Sequence, residues 1–162
     1  DRLAIGSSGQ ILTVDTGLPK WKTPDNLWSQ VTGASLSGNS VDITNLTGSR
    51  IYLLIKDWSH DSGSNQMIAI KFNSDSGSNY YGPDGHTATT YLTTPLHAGT
   101  GTYTYGIMID LADTSVPVKP ISSLSSITDF GYYYSTNPIT SIQLTLSGGN
   151  FDAGTVQVWR HA

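Results

Sequence analysis

The fold of this chain is decided most clearly by one alternating stretch, Arg50-Ile51-Tyr52-Leu53-Leu54-Ile55-Lys56-Asp57-Trp58-Ser59. Successive side chains of a β-strand point to opposite faces, so this spacing predicts a strand. One face carries Ile51, Leu53 and Ile55, and the other carries Tyr52, Leu54 and Trp58. Because both faces are apolar, we expect one face to meet a hydrophobic core and the other to meet a partner.

The same period of two recurs on both sides of that strand, with polar turns between the repeats. Residues 66–73, 101–111 and 139–146 alternate between apolar and polar side chains. Residues 116–127 are interrupted by Pro117 and Pro120, so we expect an edge strand or a loop there. About eight to nine short strands with regular turn signals predict an all-β fold, a jelly-roll-like β-sandwich.

The composition excludes several classes of protein. Charged residues make up 12% of the chain, the formal net charge is −4, and the chain has neither cysteine nor glutamate. Scarce helix formers argue against a helical fold. An acidic chain without a basic cluster argues against nucleic-acid binding. No apolar run is long enough to cross a bilayer as a helix, so we expect no membrane insertion.

The first 24 residues form a separate short segment of strands and turns. A hairpin of this size cannot bury its apolar side chains alone. They pack either on the main domain or on copies of the same segment, and the pattern leaves both open. The candidate trimerisation residues are Leu3, Ile5, Ile11, Leu12, Val14, Leu18 and Trp21. We therefore divide the chain into residues 1–24, a linker or trimerisation segment, and residues 25–162, a β-sandwich head.

The residues available do not predict an enzyme or a metal protein. Glycoside hydrolysis needs paired carboxylates. The closest pairs are Asp57 with Asp61 and Asp110 with Asp113. Each pair lies at a strand end or turn, where aspartate commonly bonds to the backbone. The four histidines lack the spacing that places two imidazoles on one ion. We expect no catalytic site, no metal and no cofactor.

Tyrosines are dense in this sequence and are candidates for a binding surface. An aromatic ring can cover the apolar face of a sugar, and Tyr and Trp also serve protein interfaces. Tyr103 and Tyr105 alternate with Ile107 in one strand and are predicted to be core. Residues 75–101 form a Gly-rich excursion, and loops of this kind often carry binding residues. The predicted receptor-binding residues are Trp58, His60, Tyr80, Tyr81, His86 and Tyr91.

Two parts of the sequence resemble a known family. Residues 2–21 resemble a linker that recurs in bacteriophage tail fibres and related virion proteins, and they include Ile5-Gly6-Ser7-Ser8-Gly9-Gln10-Ile11-Leu12-Thr13-Val14. Residues 72–80 and 147–159 are similar to the sandwich domain that ends many such fibres, and they include Ser147-Gly148-Gly149-Asn150-Phe151-Asp152.

The resemblance implies a parallel homotrimer with a jelly-roll head, joined to an upstream fibre shaft. Such a tip attaches the virion to a bacterial surface glycan or an outer-membrane protein. It is part of the virion and is extracellular during host attachment. Residues 75–101 carry no motif of the family, so the resemblance gives no receptor identity. Two other interpretations stay open: a capsid decoration or head-fibre protein, and a carbohydrate-binding module.

Overall fold

The structure, a computed structural model, describes residues 5–22, 28–82, 88–99, 101–111, 118–123 and 131–161. These residues form fourteen β-strands and no helix. The strands make three antiparallel sheets of two, eight and four strands. The two-stranded sheet is an N-terminal hairpin of β1 (Ile11–Asp15) and β2 (Leu18–Lys22).

The large sheet holds most of the chain. Its strands are β3 (Trp28–Ser35), β5 (Arg50–His60), β7 (Tyr80–Tyr81), β8 (Ala88–Thr89), β10 (Tyr103–Asp110), β11 (Val118–Ser123), β12 (Gly131–Tyr134) and β14 (Phe151–His161). Their spatial order is β3-β14-β5-β10-β11-β12-β7-β8. The longest strands, β5 and β14, therefore pair with each other inside the sheet.

The small sheet lies on the inner face of the large one. Its strands are β4 (Ser40–Ile43), β6 (Ile68–Phe72), β9 (Leu92–Thr93) and β13 (Ile142–Leu146), in the order β4-β13-β6-β9. The chain passes between the two sheets at most connections from β3 to β14, as it does in a jelly roll. The predicted all-β sandwich is thus confirmed.

One hydrophobic core joins the inner faces of the two sheets. Ile51, Leu53 and Ile55 of β5 are fully buried, as their alternation predicts. From the small sheet, Phe72 of β6 and Leu144 of β13 enter the same cluster. Burying each such side chain contributes roughly 1.5–3 kcal/mol, so the packing of the two inner faces is a main source of the stability of the head.

The outer face of β5 is apolar too. Tyr52 and Leu54 are half-buried there, and Tyr52 is paired in register with Met108 of β10 and Trp159 of β14. The Tyr52 ring lies over Gly106, where an added Cβ would come within 2.4 Å of the tyrosine hydroxyl. The second apolar face predicted for this strand is therefore present.

A β-bulge changes which face of β5 its last residues occupy. Asp57 has a left-handed backbone, with a φ of 52°. Three steps along β5, from Ile55 to Trp58, span only two steps along β10. The extra residue shifts the alternation, so Trp58 and His60 point into the core beside Ile55. The prediction that Trp58 shares the outer face with Tyr52 is wrong for this reason.

Strand β11 lies inside the large sheet, although its prolines predict an edge strand or a loop. It sits between β10 and β12. Only Ile121, Ser122 and Ser123 pair with β10, whereas Pro120 pairs with Tyr132 of β12 alone. The proline is tolerated because that half of the strand has a neighbour on one side only, which is locally an edge.

Candidate functional site

Three of the predicted receptor-binding residues are buried, and the prediction is corrected for them. Trp58 and Tyr80 have no exposed surface, and His60 is 1% exposed. The bulge at Asp57 turns Trp58 and His60 inward. Tyr80 lies on the inner face of β7, stacked 6.0 Å from the ring of Phe72. A buried ring cannot meet a receptor without unfolding the head, so these residues are structural.

The other predicted receptor residues lie at the surface or outside the described residues. Tyr81 is half-buried on the outer face of β7, opposite Tyr132 of β12. Tyr91 is 39% exposed between β8 and β9. His86 lies outside the described residues. Neither Tyr81 nor Tyr91 is among the rings that pack on Trp58.

The predicted trimerisation residues leave apolar surface uncovered. Ile5, Ile11, Leu12, Val14 and Leu18 are all exposed. Trp21 is half-buried, and its ring lies against Gly6, where an added Cβ would come within 2.4 Å of the indole. Leu3 lies outside the described residues. The hairpin thus presents several apolar side chains that a single copy of it leaves in solvent.

A surface cleft near one end of the sandwich combines exposed tyrosine with amides and hydroxyls. It lies between the turn after β6 and the loop after β12 and has a volume of about 500 Å³. We call it the tyrosine cleft. It is lined by Asn73, Asp75, Asn79, Tyr133, Tyr134, Ser135, Thr136 and Asn137.

Asn73 joins the two walls of the tyrosine cleft. Its side-chain oxygen accepts hydrogen bonds from the backbone N–H groups of Thr140 at 2.8 Å and Ser141 at 3.2 Å. Its side-chain NH₂ donates to the carbonyl of Pro138 at 2.8 Å. Asn73 and Ser74 both have left-handed backbones, with φ of 53° and 56°. This network holds a strained turn in one conformation.

Asp75 organises the floor of the tyrosine cleft. Its carboxylate accepts hydrogen bonds from the Gly77 backbone N–H and the Asn79 side chain, each at 2.8 Å, and from the Tyr133 hydroxyl at 3.1 Å. Burial favours the neutral acid, but the hydrogen bonds from Asn79, Gly77 and Tyr133 outweigh it and lower the pKa of Asp75. The floor therefore carries a fixed negative charge.

Tyr133 and Tyr134 have opposite roles because they alternate along β12. Tyr133 points inward, 4.9 Å from the ring of Tyr80, and burial raises the pKa of its phenol. Tyr134 points outward and is 48% exposed. Its backbone N–H donates to the carbonyl of Asn79 at 2.8 Å, which fixes the ring beside the Asp75 turn. An exposed flat ring beside neutral polar groups is suited to stacking on a sugar.

The polar wall opposite the Asp75 turn is a short serine-centred loop. The Ser135 hydroxyl accepts a hydrogen bond from the Asn137 backbone N–H at 3.1 Å. The side chains of Thr136 and Asn137 are exposed at the rim. Tyr134 is the last of three adjacent tyrosines, residues 132–134, and is not among the predicted receptor-binding residues. The signal for this site was the polar turn that directly follows them, residues 135–138.

The carboxylates considered for catalysis serve the fold. Asp61 accepts hydrogen bonds from the backbone N–H of Asn150 at 2.7 Å and from its side chain at 3.1 Å, and these bonds lower the pKa of Asp61. Asp110 forms an ion pair with Arg50 across β10 and β5. Asp113 lies outside the described residues. Asp61 and Asp110 thus bind structural partners, and Asp57 forms the β-bulge of β5.

Other kinds of site find less support. Within the described ranges, no group of three or more His, Cys, Asp or Glu is placed to hold a metal ion. That part of the chain also contains no helix able to cross a membrane. A second cavity, of about 380 Å³, is lined by residues 31–34 and 42–47. None of those described lining residues is aromatic, so this cavity offers no stacking surface.

Comparisons with known proteins assign no family. No family model matches the chain, and no curated protein matches it. A solved structure, that of exo-inulinase from Aspergillus awamori, is similar at 13% sequence identity with a TM-score of 0.46. The similarity covers 94% of this chain and 34% of exo-inulinase, so the chain spans about a third of that protein's length.

Proposed function

We propose that this chain is the receptor-binding head of a bacteriophage tail fibre, which acts as a homotrimer and holds a bacterial surface glycan in the tyrosine cleft. The observation that carries the proposal is the cleft itself. An exposed ring, that of Tyr134, stands beside the amides and hydroxyls of a hydrogen-bonded, rigid turn. The resemblance of residues 2–21 to a fibre linker supports the virion context.

The charge of the cleft favours a neutral glycan. Asp75 keeps a negative charge at neutral pH, because its hydrogen bonds lower the pKa of its carboxyl. The described lining residues include no lysine or arginine that could neutralise a sugar carboxylate or phosphate. An acidic saccharide would therefore meet repulsion there. We expect neutral hexose or N-acetylhexosamine chains to bind in preference to acidic capsules.

Replacing Tyr134 by alanine is expected to weaken glycan binding by about tenfold per site, since the stacked ring is lost. When the three cleft sites of one trimer bind the same surface, the loss of overall affinity is larger, because the weakening at each site multiplies through effective concentration. The measurement is binding of the whole chain to an array of neutral and acidic bacterial polysaccharides, with wild type and variant compared at equal concentration.

The matched control is Tyr91→Ala, which removes another exposed tyrosine away from the cleft. It is expected to bind like wild type. Loss of binding in Tyr91→Ala together with full binding in Tyr134→Ala would overturn the cleft as the site and would favour the loop surface around Tyr91. Preferential binding to acidic polysaccharides would contradict the charge argument.

The homotrimer is supported by the N-terminal hairpin. Leu12 is 54% exposed and Val14 is 75% exposed, and both lie on the same face of β1. Apolar side chains on so small a hairpin gain burial when copies pack together, and cyclic symmetry places three equivalent faces in contact. The hairpin would then link the heads to the fibre shaft.

Introducing two charges into that face is expected to dissociate the trimer. The double variant Leu12→Asp with Val14→Asp places carboxylates where apolar contact is proposed, which costs several kcal/mol when they are buried. The double variant Ser7→Asp with Ser8→Asp adds the same charge to a turn of the same segment and is expected to remain trimeric. Light scattering measures the mass of each. A monomeric wild-type chain would overturn the autonomous trimer.

A further inference from the structure

A cluster of aromatic rings around Trp58 contains two histidines, the buried His60 and the half-buried His97. The Trp58 ring centroid lies 5.9 Å from that of His60, 5.6 Å from His97 and 5.5 Å from Tyr103. Phe151 packs edge-on against the same indole at 6.1 Å. His97 in turn lies 3.8 Å from the Tyr103 ring. The bulge at Asp57 created this arrangement by turning β5 inward.

Three polar atoms of this cluster are buried without a hydrogen-bond partner in the described part of the chain. They are the indole Nε1 of Trp58, Nδ1 of His60 and Nε2 of His97. His60 Nε2 lies 3.1 Å from the carbonyl oxygen of His97, so Nε2 carries the proton and donates it. His60 Nδ1 then presents a bare lone pair to a site that offers it no hydrogen.

His97 also fastens a loop to the sandwich. Its backbone N–H and carbonyl form a pair of 2.8 Å hydrogen bonds with the backbone of Gln66, just before β6. The same His97 carbonyl also accepts the hydrogen bond from His60 Nε2. Residues 94–99 follow β9 and are held at three places. Thr94 exchanges hydrogen bonds with the backbone of Ile68, His97 forms the bridge to Gln66, and the carbonyl of Ala98 accepts a hydrogen bond from the Tyr103 hydroxyl at 3.1 Å.

Few groups near the two imidazoles could accommodate a positive charge. From β10 the rings of Tyr103 and Tyr105 pack on His97. From β14 the apolar ring of Phe151 packs on Trp58, on which both imidazoles also pack. The carboxylate of Asp61, the next residue in the chain, interacts electrostatically with His60. Its oxygens, however, accept hydrogen bonds from Asn150 at the surface. A second imidazolium would repel the first.

We propose that His97, packed with His60 on Trp58, forms an acid-operated latch, in which protonation of His97 releases residues 94–99 from the Trp58 cluster while the two sheets stay folded. A proton on His97 Nε2 has no described acceptor in the closed loop. In the opened loop the same proton is solvated by water. The open form therefore binds protons more strongly than the closed form.

The direction of the pH effect follows from the closed state. Burial, with the neighbouring His60 as a smaller cause, lowers the pKa of His97 below the ordinary histidine value of 6.5. As the pH falls below about 6.5, the open form takes up a proton first, and the closed form loses stability. The opening constant rises by up to about tenfold per pH unit for the one proton taken up at His97.

Hydrogen exchange of the whole chain tests the latch. Exchange of peptides covering residues 94–99 is followed by mass spectrometry from about pH 7.5 to about pH 5, with times scaled to the intrinsic exchange rate. The opening constant of this segment is expected to rise by about tenfold or more over that range. Peptides from β13, which is not hydrogen-bonded to residues 94–99, are expected to keep the same protection throughout.

Two variants separate the latch from other titrations. The double variant His60→Gln with His97→Gln is expected to show no pH response in residues 94–99. The control His161→Gln removes a half-buried histidine that packs on Trp28 and is expected to respond like wild type. A response that persists in the double variant overturns the latch, and so does pH-independent protection in the wild type. If the double variant does not fold, the wild-type chain is titrated by NMR. The latch predicts that a histidine signal and the amide signals of residues 94–99 change over the same pH range. If they do not change together, the latch is overturned.

Discussion

Replacing Gly131 by alanine is expected to lower the free energy of unfolding by about 3 kcal/mol or more. Gly131 begins β12 with a φ of 124°, a backbone conformation that other residues rarely adopt. An added Cβ would lie 2.0 Å from the carbonyl oxygen of Tyr81 and 3.2 Å from the Leu92 side chain. The first of these atoms belongs to the backbone of the paired strand β7, so β12 itself must move.

The consequence reaches the tyrosine cleft, because Tyr133 and Tyr134, which line it, belong to the strand that must move. Urea unfolding followed by circular dichroism measures the loss. Gly63→Ala is the matched control, since an added Cβ at Gly63 meets nothing within 4 Å. It is expected to change stability by no more than about 0.5 kcal/mol. Equal unfolding midpoints for the two variants would contradict the packing described at β12.

Truncating Trp58 to alanine is expected to cost about 3–5 kcal/mol, which is a large part of the stability of a typical domain. The indole is fully buried at the centre of the aromatic cluster. Its removal leaves a cavity, and it deprives His60, His97 and Phe151 of the ring against which they pack. We expect a lower unfolding midpoint with an unchanged slope against denaturant.

Trp159→Ala is the matched control for Trp58→Ala. Trp159 is half-buried on the outer face of the same sheet, so folding removes less of its apolar surface from water than it does for Trp58. Its truncation is expected to cost roughly half as much. If Trp159→Ala were the more destabilising of the two, the inward direction of Trp58 after the bulge would be wrong.

Sequence alternation predicted the core of β5 correctly only up to Asp57. Ile51, Leu53 and Ile55 are buried as expected, because a regular strand preserves the period of two. A left-handed residue has no reliable mark in the sequence, and aspartate is one of the few types that tolerates it. The partner strand gives a second clue, Gly154, with a φ of 114° and Trp58 backbone at 2.7 Å from an added Cβ. That clue becomes readable only once β14 is known to lie beside β5.

The sequence predicted that tyrosines form the candidate site, but it did not predict which tyrosines or where on the fold they lie. Tyrosines with neighbouring amides indicated a binding surface, and several tyrosines are indeed exposed. Which of them face solvent depends on alternation within very short strands. Tyr80 of the two-residue strand β7 is buried, whereas Tyr134 of β12 is exposed. The cleft also joins residues 73–79 with residues 133–137, and no local pattern connects segments so far apart.

The position of the last strand has a consequence for how the molecule is made. β14 ends the described chain, yet it lies between β3 and β5, the first and second strands of the large sheet. Neither strand can complete its hydrogen-bond ladder until β14 has been synthesised. Pairings between such distant segments slow folding and expose unpaired strands meanwhile. The nascent chain is therefore prone to aggregation through β3 and β5 until β14 emerges, and a truncation that removes β14 separates β3 from the rest of the large sheet.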